Sequence, residues 1–564
     1  MTPTTIMTHS MTRRLLAPLA LLCLGGAASC VDLTETPITG ITSAYYTTPG
    51  GFDAAVNAMY LPLRSFWALE RGATMTVFGT DEFQKGADGG YKFFNDYTSA
   101  LNGDVDFIRL TWTDLFAGVN TANTVIDVAK TAGLPAATLN VRVGEAKFLR
   151  ALYYFALVRT FGDVPLYTTP TAGVLTATVR DPASKIYDLI VADLIAAEAA
   201  LPDKAAQYGR ADRPAAQHLL AEVYLTRNAP GDMAKSEAES KAVVANPRFR
   251  LLATEKLNWD FGNEVNSEVV WAIQYTADPI TNGAAGVTSQ SNVGYGNKLH
   301  LYWGFPYDQE PGMLRDIPGD RPFKRFRPTA WLLGLWNTAG TNNNTTPDQR
   351  YQDIFRVMWT ANNPSNTGYK LGDGTVITAK YAIGDTSIFF PSREVTLAER
   401  KGVRYKLYAP SEYNDAIFPP MNKYFDPSRT STNQEDGQRD HPMMRLANTY
   451  LMLAEAQFNQ GKLAEAAANI NIIRTRAAKP GRAAEMQITT ADLNIDFILD
   501  ERARELTGET TRFFDLTRTH KLVERVVKYN PGGAPNVKAC HELRPIPTSE
   551  ILLSTGGIKQ NPCY

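Results

Sequence analysis

Two helix–turn–helix patterns, one in each half of the chain, constrain its fold more than any other feature. In the first, apolar residues recur at helical spacing along residues 186–197, and a second helical stretch spans residues 214–227. In the second, residues 453–458 lead to Gly461 and then to a further apolar face on residues 464–473. Helix pairs of this kind cannot bury their apolar faces alone, so we expect them to stack on one another.

Other helical segments support the same scaffold. Residues 145–158 are apolar on nearly every face, which predicts a deeply buried helix. Residues 52–128 also show helical spacing, interrupted by a glycine-rich loop at residues 86–90. The helix–turn–helix pairs carry small residues where the helices would cross, as tetratricopeptide units do. The sequence therefore predicts a mainly α-helical scaffold.

The middle of the chain, roughly residues 260–440, has a different composition. It is rich in Gly, Pro, Asn and aromatic residues, with a strand-like run at residues 268–274 and an Asn run at residues 342–344 that we expect to be an exposed loop. Irregular regions of this length are usually functional or disordered. The Trp and Tyr content argues against disorder, so we predict a folded, loop-rich functional region.

The N-terminus has the layout of a bacterial lipoprotein export signal. Arg13 and Arg14 precede an apolar stretch at residues 15–28, and Ser29 and Cys30 follow. The stretch is too short for a transmembrane helix, which needs about 20 apolar residues. We expect cleavage before Cys30 and lipidation of its thiol, which leaves a soluble body on a lipid tether. The alternative is an ordinary secretory signal with an incidental cysteine, and both interpretations predict export.

The remaining cysteines and the charge narrow the class of protein. Cys23 would leave with the signal, so Cys540 and Cys563 remain besides Cys30. In an oxidising compartment they can form a disulfide, which would stabilise the fold by about 3 kcal/mol on the chain-entropy model; two separate thiols are the alternative. The formal net charge of -1 favours neither nucleic acid nor an anionic membrane as partner.

No catalytic motif stands out. The sequence lacks zincin, Walker, dinucleotide-binding and Gly-x-Ser-x-Gly signatures, and its histidines show no metal-ligand spacing. Glu505 and Glu509 lie one helical turn apart, as a carboxylate pair for glycoside hydrolysis would. Nearby arginines instead favour ion pairs that lower the acid pKa, and His218 in an apolar helix is expected to be structural. We assign no catalytic residue, no metal and no cofactor.

A basic segment allows two interpretations. Arg315, Arg321, Lys324, Arg325 and Arg327 are interleaved with phenylalanines. The segment either meets an anionic ligand or forms a solvated loop, and the solvated loop is the preferred interpretation.

Aromatic residues in the loops suggest a binding surface. Flat aromatic faces stack on sugar rings, and binding sites combine such surfaces with a few polar groups. Tyr91 and Trp303, both next to glycines, are expected to be the most exposed, although core packing is the commoner role for a single aromatic. The three groups are Tyr91, Phe93, Phe94 and Tyr97; Tyr302, Trp303, Phe305 and Tyr307; and Trp331 with Trp336.

Further motifs occur in order along nearly the whole chain, and together they resemble the SusD/RagB family of outer-membrane lipoproteins of Bacteroidetes. No single motif is specific, but their order and coverage are. They are Cys30-Val31-Asp32-Leu33 with Pro37; Trp112, Leu115, Phe116, Asn120, Ala122, Asn123 and Ile126; residues 145–155; residues 161–166; residues 209–211, 215–216 and 219–225; Pro328-Thr329 and Asp348-Gln349-Arg350; residues 501–506, 508–509, 512–518 and 521–522; and residues 544–547, 550–551 and 560–562 before Tyr564.

The resemblance implies a SusD-like fold with four tetratricopeptide-like helix pairs and an irregular, loop-rich ligand-binding region. It implies that the protein has no catalytic activity. It implies instead that the protein binds oligosaccharides or polysaccharides and acts as a lid on a SusC-like TonB-dependent transporter. It also implies a lipid anchor in the outer membrane with the body facing the cell exterior. The sequence departs from the family pattern at Cys563 and His520, where members usually carry glycine.

The resemblance and the loops together set the expected layout. The domains are predicted as a signal peptide at residues 1–29, a lipidated spacer at 30–50, an N-terminal helical region at 51–260, a loop-rich central region at 261–440 and a C-terminal region at 441–564, intertwined in one body. Expected ligand-binding residues are Asp81, Tyr91, Phe93, Tyr97, Tyr302, Trp303 and Trp331.

Two alternatives stay open for the function. A peptide-binding member of the same family is the first, and a tetratricopeptide-type adaptor for a protein partner is the second. A glycan-binding role predicts that Trp303→Ala weakens ligand binding at least about tenfold without unfolding. Neutral substitution of the loop aromatics would favour the adaptor.

Overall fold

The computed structural model describes residues 43–276, 278 and 296–564 of the 564-residue chain. The predicted signal peptide, the lipidation site Cys30 and much of the spacer lie outside the described residues. Within the described part, no helix combines the length and the apolar character needed to cross a membrane.

The described residues are mainly helical, with short strands. The helices are α1 Ser43–Tyr46, α2 Pro49–Ala58, α3 Leu61–Arg64, α4 Glu70–Thr76, α5 Phe93–Asp96, α6 Asp106–Val128, α7 Ala136–Phe161, α8 Ala183–Ala200, α9 Arg213–Arg227, α10 Asp232–Ala245, α11 Ala330–Gly334, α12 Arg350–Ile354, α13 Leu397–Lys401, α14 Leu446–Asn459, α15 Leu463–Ala477, α16 Ile495–Leu506, α17 Arg512–Arg518, α18 Leu522–Tyr529 and α19 Thr548–Leu553. The strands are β1 Phe83–Lys85, β2 Val269–Ile273, β3 Phe326–Pro328, β4 Met358–Thr360, β5 Tyr369–Lys370, β6 Val376–Ile377, β7 Thr386–Phe389, β8 Lys406–Leu407 and β9 His441–Arg445.

Local signals set the bounds of α9. The Asp212 carboxylate accepts a hydrogen bond from the Ala215 backbone N–H at 3.2 Å, which caps one of the unpaired donors of the first turn. Pro214 follows in that turn, where its missing N–H costs nothing. Asn228 ends the helix in the left-handed conformation, with φ of 50°. The predicted helix at residues 214–227 is therefore confirmed.

The long helices stack largely in chain order. Helix α6 packs on α7, α7 on α8, α8 on α9, and α9 on α10. The chain then leaves the stack at residue 246 and returns at α14, which packs against α10 on one side and α15 on the other. The α8/α9 and α14/α15 pairs match the two predicted helix–turn–helix units, and residues 144–158 of α7 are almost entirely buried. A total of four tetratricopeptide-like pairs stays a prediction.

The residues between α10 and α14 form the irregular part of the fold. Their strands make small sheets, with β2 antiparallel to β9 and the order β4-β7-β8 in another. Phe305, Tyr307, Trp359 and Phe390 belong to a separate aromatic core beneath this region. The expected strand at residues 268–274 appears as β2, and the aromatic residues pack into a core as the argument against disorder required.

Several links join the three predicted regions. Strand β1 from the N-terminal region pairs antiparallel with β3 from the central region. The Asp81 carboxylate is buried between two guanidiniums of the C-terminal region, at 2.6 Å from Arg512 and 2.5 Å from Arg525. The domain bounds themselves stay predictions.

The C-terminus is closed by the expected disulfide. Cys540 and Cys563 are bonded, with their Cα atoms 5.8 Å apart. The preferred interpretation of the two remaining cysteines is therefore confirmed.

Candidate ligand-binding site

The pairing of β1 with β3 brings the glycine-rich loop against the basic segment. The Gly86 N–H donates to the Arg325 carbonyl at 3.0 Å, and the Asp88 N–H donates to the Lys324 carbonyl at 2.9 Å. A Cβ at Gly86 would lie 2.3 Å from the Lys324 carbonyl oxygen, so this approach requires glycine. Residues 86–92, 321–327 and 413–415 form one surface, which we call the ledge.

The basic side chains of the ledge are already paired. Lys324 lies 3.0 Å from Asp88, Arg321 lies 2.7 Å from Glu435, and Arg327 lies 3.0 Å from Asp415. Arg325 pairs with Glu70, and Arg315, just outside the ledge, with Asp308. The segment lies at the surface, as the preferred interpretation as a solvated loop requires, but carboxylates also hold its cations. The same pairing leaves little free positive charge for an anion.

Two aromatic side chains give the ledge apolar surface. The half-buried Tyr91 ring stacks on Phe107, with ring centroids 3.7 Å apart and an angle of 15° between the planes. Its hydroxyl donates to Asp106 at 3.0 Å, and burial together with that carboxylate raises the Tyr91 pKa. The half-buried Phe323 ring lies under the guanidiniums of Arg321 and Arg325, each 4.8 Å from the ring centroid.

A cavity of about 200 Å³ adjoins the ledge and shares Arg327 and Tyr413 with it. Arg327 is held there because its guanidinium also donates to the Tyr413 carbonyl at 3.2 Å. The wall is largely apolar, with a few polar groups, as is typical of small-molecule sites. It is lined by Arg327, Pro328, Ala330, Leu333, Gly334, Asn337, Asn343, Tyr351, Ser392, Pro410 and Tyr413.

Polar atoms in this wall lack partners. Among the described residues, the side-chain oxygens of Asn337, Asn343 and Tyr413 are screened from solvent and accept or donate no hydrogen bond. Such an atom costs about 1–3 kcal/mol when left unpaired. Unpaired atoms occur elsewhere in the chain, but here they share one wall with open space beside it. Asn337 and Tyr413 are half-buried, so both side chains contact that space.

Asn343 is fixed from behind. Its amide donates to the Leu333 carbonyl at 2.7 Å, and the side chain is 3% exposed. The expectation that residues 342–344 form an exposed loop is wrong at this position. Burial, followed by nearby Tyr351 and two glutamates, raises the pKa of Tyr413, so its hydroxyl stays protonated as a donor.

Four of the expected ligand residues are buried. Asp81 is 0% exposed between Arg512 and Arg525, and its pKa falls because these guanidiniums outweigh the effect of burial. The Tyr97 hydroxyl donates to the Gly79 carbonyl at 2.7 Å. Tyr302 packs edge-on against Phe326. These side chains offer no open face in this structure.

Trp303 is the clearest correction. It was expected to be exposed, yet it is 1% exposed. Its ring packs against Phe83 and Phe326 at centroid distances of 4.6 and 4.9 Å, and Tyr424 lies at 6.2 Å. The glycine beside it marks a close backbone approach rather than an open loop, because a Cβ at Gly304 would lie 2.4 Å from the Cα of Pro322.

The other expected residues remain at the surface. Tyr91 and Phe93 are half-buried beside the ledge, with ring centroids 6.0 Å apart. Trp331 is also half-buried and stacks on Tyr529 at 4.8 Å, with the Arg525 guanidinium 4.7 Å from its ring. These positions are compatible with ligand contact, which stays a prediction.

Sequence reasoning missed most of the cavity. Asn337, Tyr351, Ser392 and Tyr413 come from separate segments, Tyr351 from α12 and the others from loops, and carry no shared motif. The Asn run at residues 342–344 was a usable signal, because asparagines that close turns can also present an amide inward. Arg327 was noticed only as part of the basic segment.

The carboxylate pair at Glu505 and Glu509 belongs to a buried ion-pair network. Glu509 lies 2.7 Å from Arg445 and 2.6 Å from Lys423, and Glu505 pairs with Arg476 and, at 3.2 Å, Arg350. Burial acts to raise both pKa values, but the surrounding cations lower them overall. A general acid requires the opposite shift. The ion-pair interpretation is confirmed, but the partners come from distant segments, because the arginines one turn away pair elsewhere: Arg502 with Asp515 and Arg512 with Asp81.

The described histidines and acids suggest no metal centre. His218 is fully buried, with Nδ1 2.8 Å from the Thr449 hydroxyl, which confirms its structural role. Across residues 43–276, 278 and 296–564, no cluster of His, Cys, Asp or Glu has the geometry to hold a metal ion.

Two family models match the chain. The model described as "SusD family" matches residues 267–564, and the model described as "Starch-binding associating with outer membrane" matches residues 63–225. SusD-like protein P2 of Formosa agariphila is 26% identical over 560 residues, which cover 95% of this chain and 97% of that protein. SusD-like protein P25 of the same organism is 24% identical over 463 residues, or 79% and 77% of the two chains.

Solved structures share the fold. A laminarin binding SusD-like protein aligns with a TM-score of 0.63 and 24% identity, over 91% of this chain and 98% of that chain. The NanU protein of B. fragilis aligns with a TM-score of 0.67 and 20% identity, over 94% and 99%. The mainly helical, SusD-like architecture expected from the sequence is therefore confirmed.

Proposed function

We propose, from the premise that this chain belongs to the SusD family, that it captures glycans at the cell surface without transforming them. The cavity beside the ledge carries the proposal. Its unpaired oxygens on Asn337, Asn343 and Tyr413 match the hydroxyl groups of a sugar, which both donate and accept hydrogen bonds. Names of similar proteins, among them a laminarin binding SusD-like protein, support the same ligand class.

The size of the cavity limits what it holds. At about 200 Å³ it is smaller than the roughly 300–1,000 Å³ of typical drug-sized sites. It therefore suits one sugar ring or chain end, with further rings passing over the ledge. There Tyr91 and Phe323 supply apolar surface, and the paired side chains of Asp88 and Lys324 supply hydrogen bonds.

The proposal extends to the cell envelope. The export signal ending at Cys30 supports lipid anchoring in the outer membrane, and one family model describes proteins associating with that membrane. We infer that the anchored body faces the cell exterior and delivers its glycan to a SusC-like TonB-dependent transporter. Copurification of the tagged protein from native membranes tests this step. Recovery without any TonB-dependent barrel would contradict it.

A binding screen tests the capture step. We expect the purified mature chain to bind at least one oligosaccharide or polysaccharide in a panel, measured by calorimetry. Asn337→Leu should then reduce the affinity about tenfold, because the apolar side chain removes one hydrogen bond of about 1–1.5 kcal/mol to the ligand. The Asn337 side chain makes no bond elsewhere in the described structure, so folding should be unaffected.

Asn366→Leu is the matched control. Asn366 is exposed and lies outside the cavity wall, so the same substitution there should leave affinity unchanged. Absence of binding to every glycan tested would overturn the proposal. Equal losses from both variants would remove the cavity from it.

A further inference from the structure

A second groove lies on a different part of the surface. Two adjoining cavities, of about 600 and 760 Å³, share residues 207–210 and Ala272 and so form one continuous depression. It runs between the end of α2 with α3, the loop before α9 and strand β2. It has no lining residue in common with the cavity at Tyr413.

Cations dominate the lining of this groove. Arg64, Lys204, Arg210, Arg248 and Arg250 line it, against Asp212 as the one lining carboxylate. Two further carboxylates lie near the groove but outside its lining. Burial, and then the charges of Asp440 and Glu264, raise the pKa of Tyr208. The groove is therefore basic although the whole chain has a formal net charge of -1.

Part of this positive charge serves the fold. Arg210 lies 2.9 Å from Glu145 and donates to Asn57, and Arg248 lies 2.9 Å from Asp212. Asp212 in turn caps α9 through the Ala215 N–H. These pairs fix two guanidiniums in the groove wall, and their structural role is evident.

Lys204 and Arg250 differ. Both are exposed, and in the described structure neither side chain has a carboxylate partner or a hydrogen bond. On the ledge, by contrast, every lysine and arginine from residue 321 to residue 327 has its carboxylate. Unpaired cations beside a concave surface attract anions more strongly than the same charges on a flat face.

The groove floor is rigid. The Tyr208 hydroxyl donates to the Glu264 carbonyl at 3.0 Å, which fixes its ring. The Trp271 indole N–H donates to the Gly209 carbonyl at 3.0 Å. Gly209 has φ of 85°, a backbone conformation that favours glycine. A preformed floor lowers the entropy lost on binding an extended chain.

We infer that this groove binds a second stretch of glycan that carries acidic groups, carboxylate or sulfate. The inference adds a charge class to the proposed function and rests on it. Tyr208 provides an aromatic face for a ring, and Lys204 and Arg250 provide the charge partners. In the proposed function the cavity at Tyr413 binds uncharged hydroxyl groups, so the two surfaces differ in the charge of the glycan that each binds.

Paired variants test the inference. The mature chain is compared with Lys204→Ala/Arg250→Ala for binding to polygalacturonate, a sulfated galactan and neutral amylose at low ionic strength. We expect the double variant to lose about tenfold in affinity for an acidic polysaccharide, with a shallower salt dependence, and to keep its affinity for any neutral glycan. The two acidic probes distinguish carboxylate from sulfate.

Lys380→Ala/Arg404→Ala is the matched control. Both residues are exposed, form no ion pair in the described structure and lie in the central region, so this pair removes the same charge elsewhere. If the control variant lost as much affinity for the acidic glycan, the effect would be one of net charge, and the inference would be overturned. The inference would also be overturned if Lys204→Ala/Arg250→Ala lost affinity for duplex DNA, a polyanion that is not a glycan, by the same factor as for the acidic glycan. No binding of the wild type to either acidic probe would also overturn it. Asn337→Leu, tested on the neutral glycan, reports independently on the cavity.

Discussion

The buried network around Glu505 and the wall of the Tyr413 cavity differ in whether their polar atoms have partners. In the network, each carboxylate meets several cations, so Glu505 contacts Arg350, Arg445 and Arg476. In the cavity wall, the side-chain oxygens of Asn337, Asn343 and Tyr413 have no partner among the described residues. Both regions contain polar side-chain atoms that are screened from solvent. The difference is that the polar groups of the network are paired without a ligand, whereas those of the cavity wall are not.

This contrast separates structural from functional polarity. A buried charge is tolerated only when it is paired, because desolvation costs several kcal/mol per ion. The network meets that requirement internally and leaves nothing to bind. The cavity wall retains an unmet cost, which a hydroxyl-bearing ligand can remove on binding. Residue type alone does not distinguish the two cases, whereas partner atoms do.

The largest expected effect comes from opening the network. Arg445→Ala should lower the free energy of unfolding by about 3–5 kcal/mol, because it leaves Glu268, Glu505 and Glu509 under-paired in the core. Chemical denaturation checks this. Arg404→Ala, at an exposed residue that forms no ion pair with any described residue, should change stability by less than about 0.5 kcal/mol. A small effect at Arg445 would mean that burial and pairing do not identify structural polarity here.

Trp303→Ala should have an effect of similar size on folding rather than on binding. Removing a fully buried indole ring costs about 3–5 kcal/mol. This replaces the expectation that Trp303 contacts the ligand. Folded protein from the more conservative Trp303→Phe variant should bind glycan with unchanged affinity. A tenfold affinity loss with normal stability would restore Trp303 to the site.

Acid should weaken a second buried ion-pair cluster, in which Asp515 pairs with Arg502 and Arg518. Arg502 and Arg518 outweigh burial and lower the Asp515 pKa to about 2, whereas an unfolded aspartate titrates near 4. A depressed pKa contributes stability that is present above pH 4 and lost as pH falls toward 2. For Asp515 this amounts to about 2–3 kcal/mol. Urea titrations at pH 5, 4 and 3 should show the free energy of unfolding fall as the pH falls. In Asp515→Asn the free energy of unfolding should depend less steeply on pH.

Tyr413→Phe should have the smallest effect on folding and a clear effect on binding. The hydroxyl has no partner in the described structure, so its removal should leave stability unchanged or slightly higher. Affinity for a bound glycan should fall about tenfold, or roughly 1.4 kcal/mol. Tyr405→Phe, outside the cavity, is the control. A loss of stability without loss of affinity would show that the wall is complete by itself.

Sequence reasoning succeeded where neighbours along the chain decide the outcome. Helical spacing identified α9 and the buried middle of α7. Cysteine counting identified the pair Cys540 and Cys563. Each of these rests on local periodicity or on elimination. The family resemblance supplied the fold class for the same reason, since its motifs are local.

It failed where distant segments decide the outcome. Trp303 is covered by residues 83, 326 and 424, and Asp81 is paired with residues 512 and 525. Nothing near either residue in sequence predicts those contacts. The cavity residues fail for the same reason, because they come from segments that are distant in sequence and meet only in the folded chain. Gly304 beside Trp303 was interpreted as a sign of an exposed loop, whereas in the structure it allows a close approach of the backbone to Pro322.

The return of the chain to the helical stack at α14 also orders events during folding. Helices α6 to α10 contact one another in sequence, so they can associate as they leave the ribosome. Helix α14 must wait until residues 246–445 have been made, and its docking on α10 closes a long loop. The closure entropy grows only logarithmically with loop length. The segment that carries the cavity can therefore gain or lose residues during evolution at little cost to the scaffold, which leaves ligand choice free to diverge while the stack is retained.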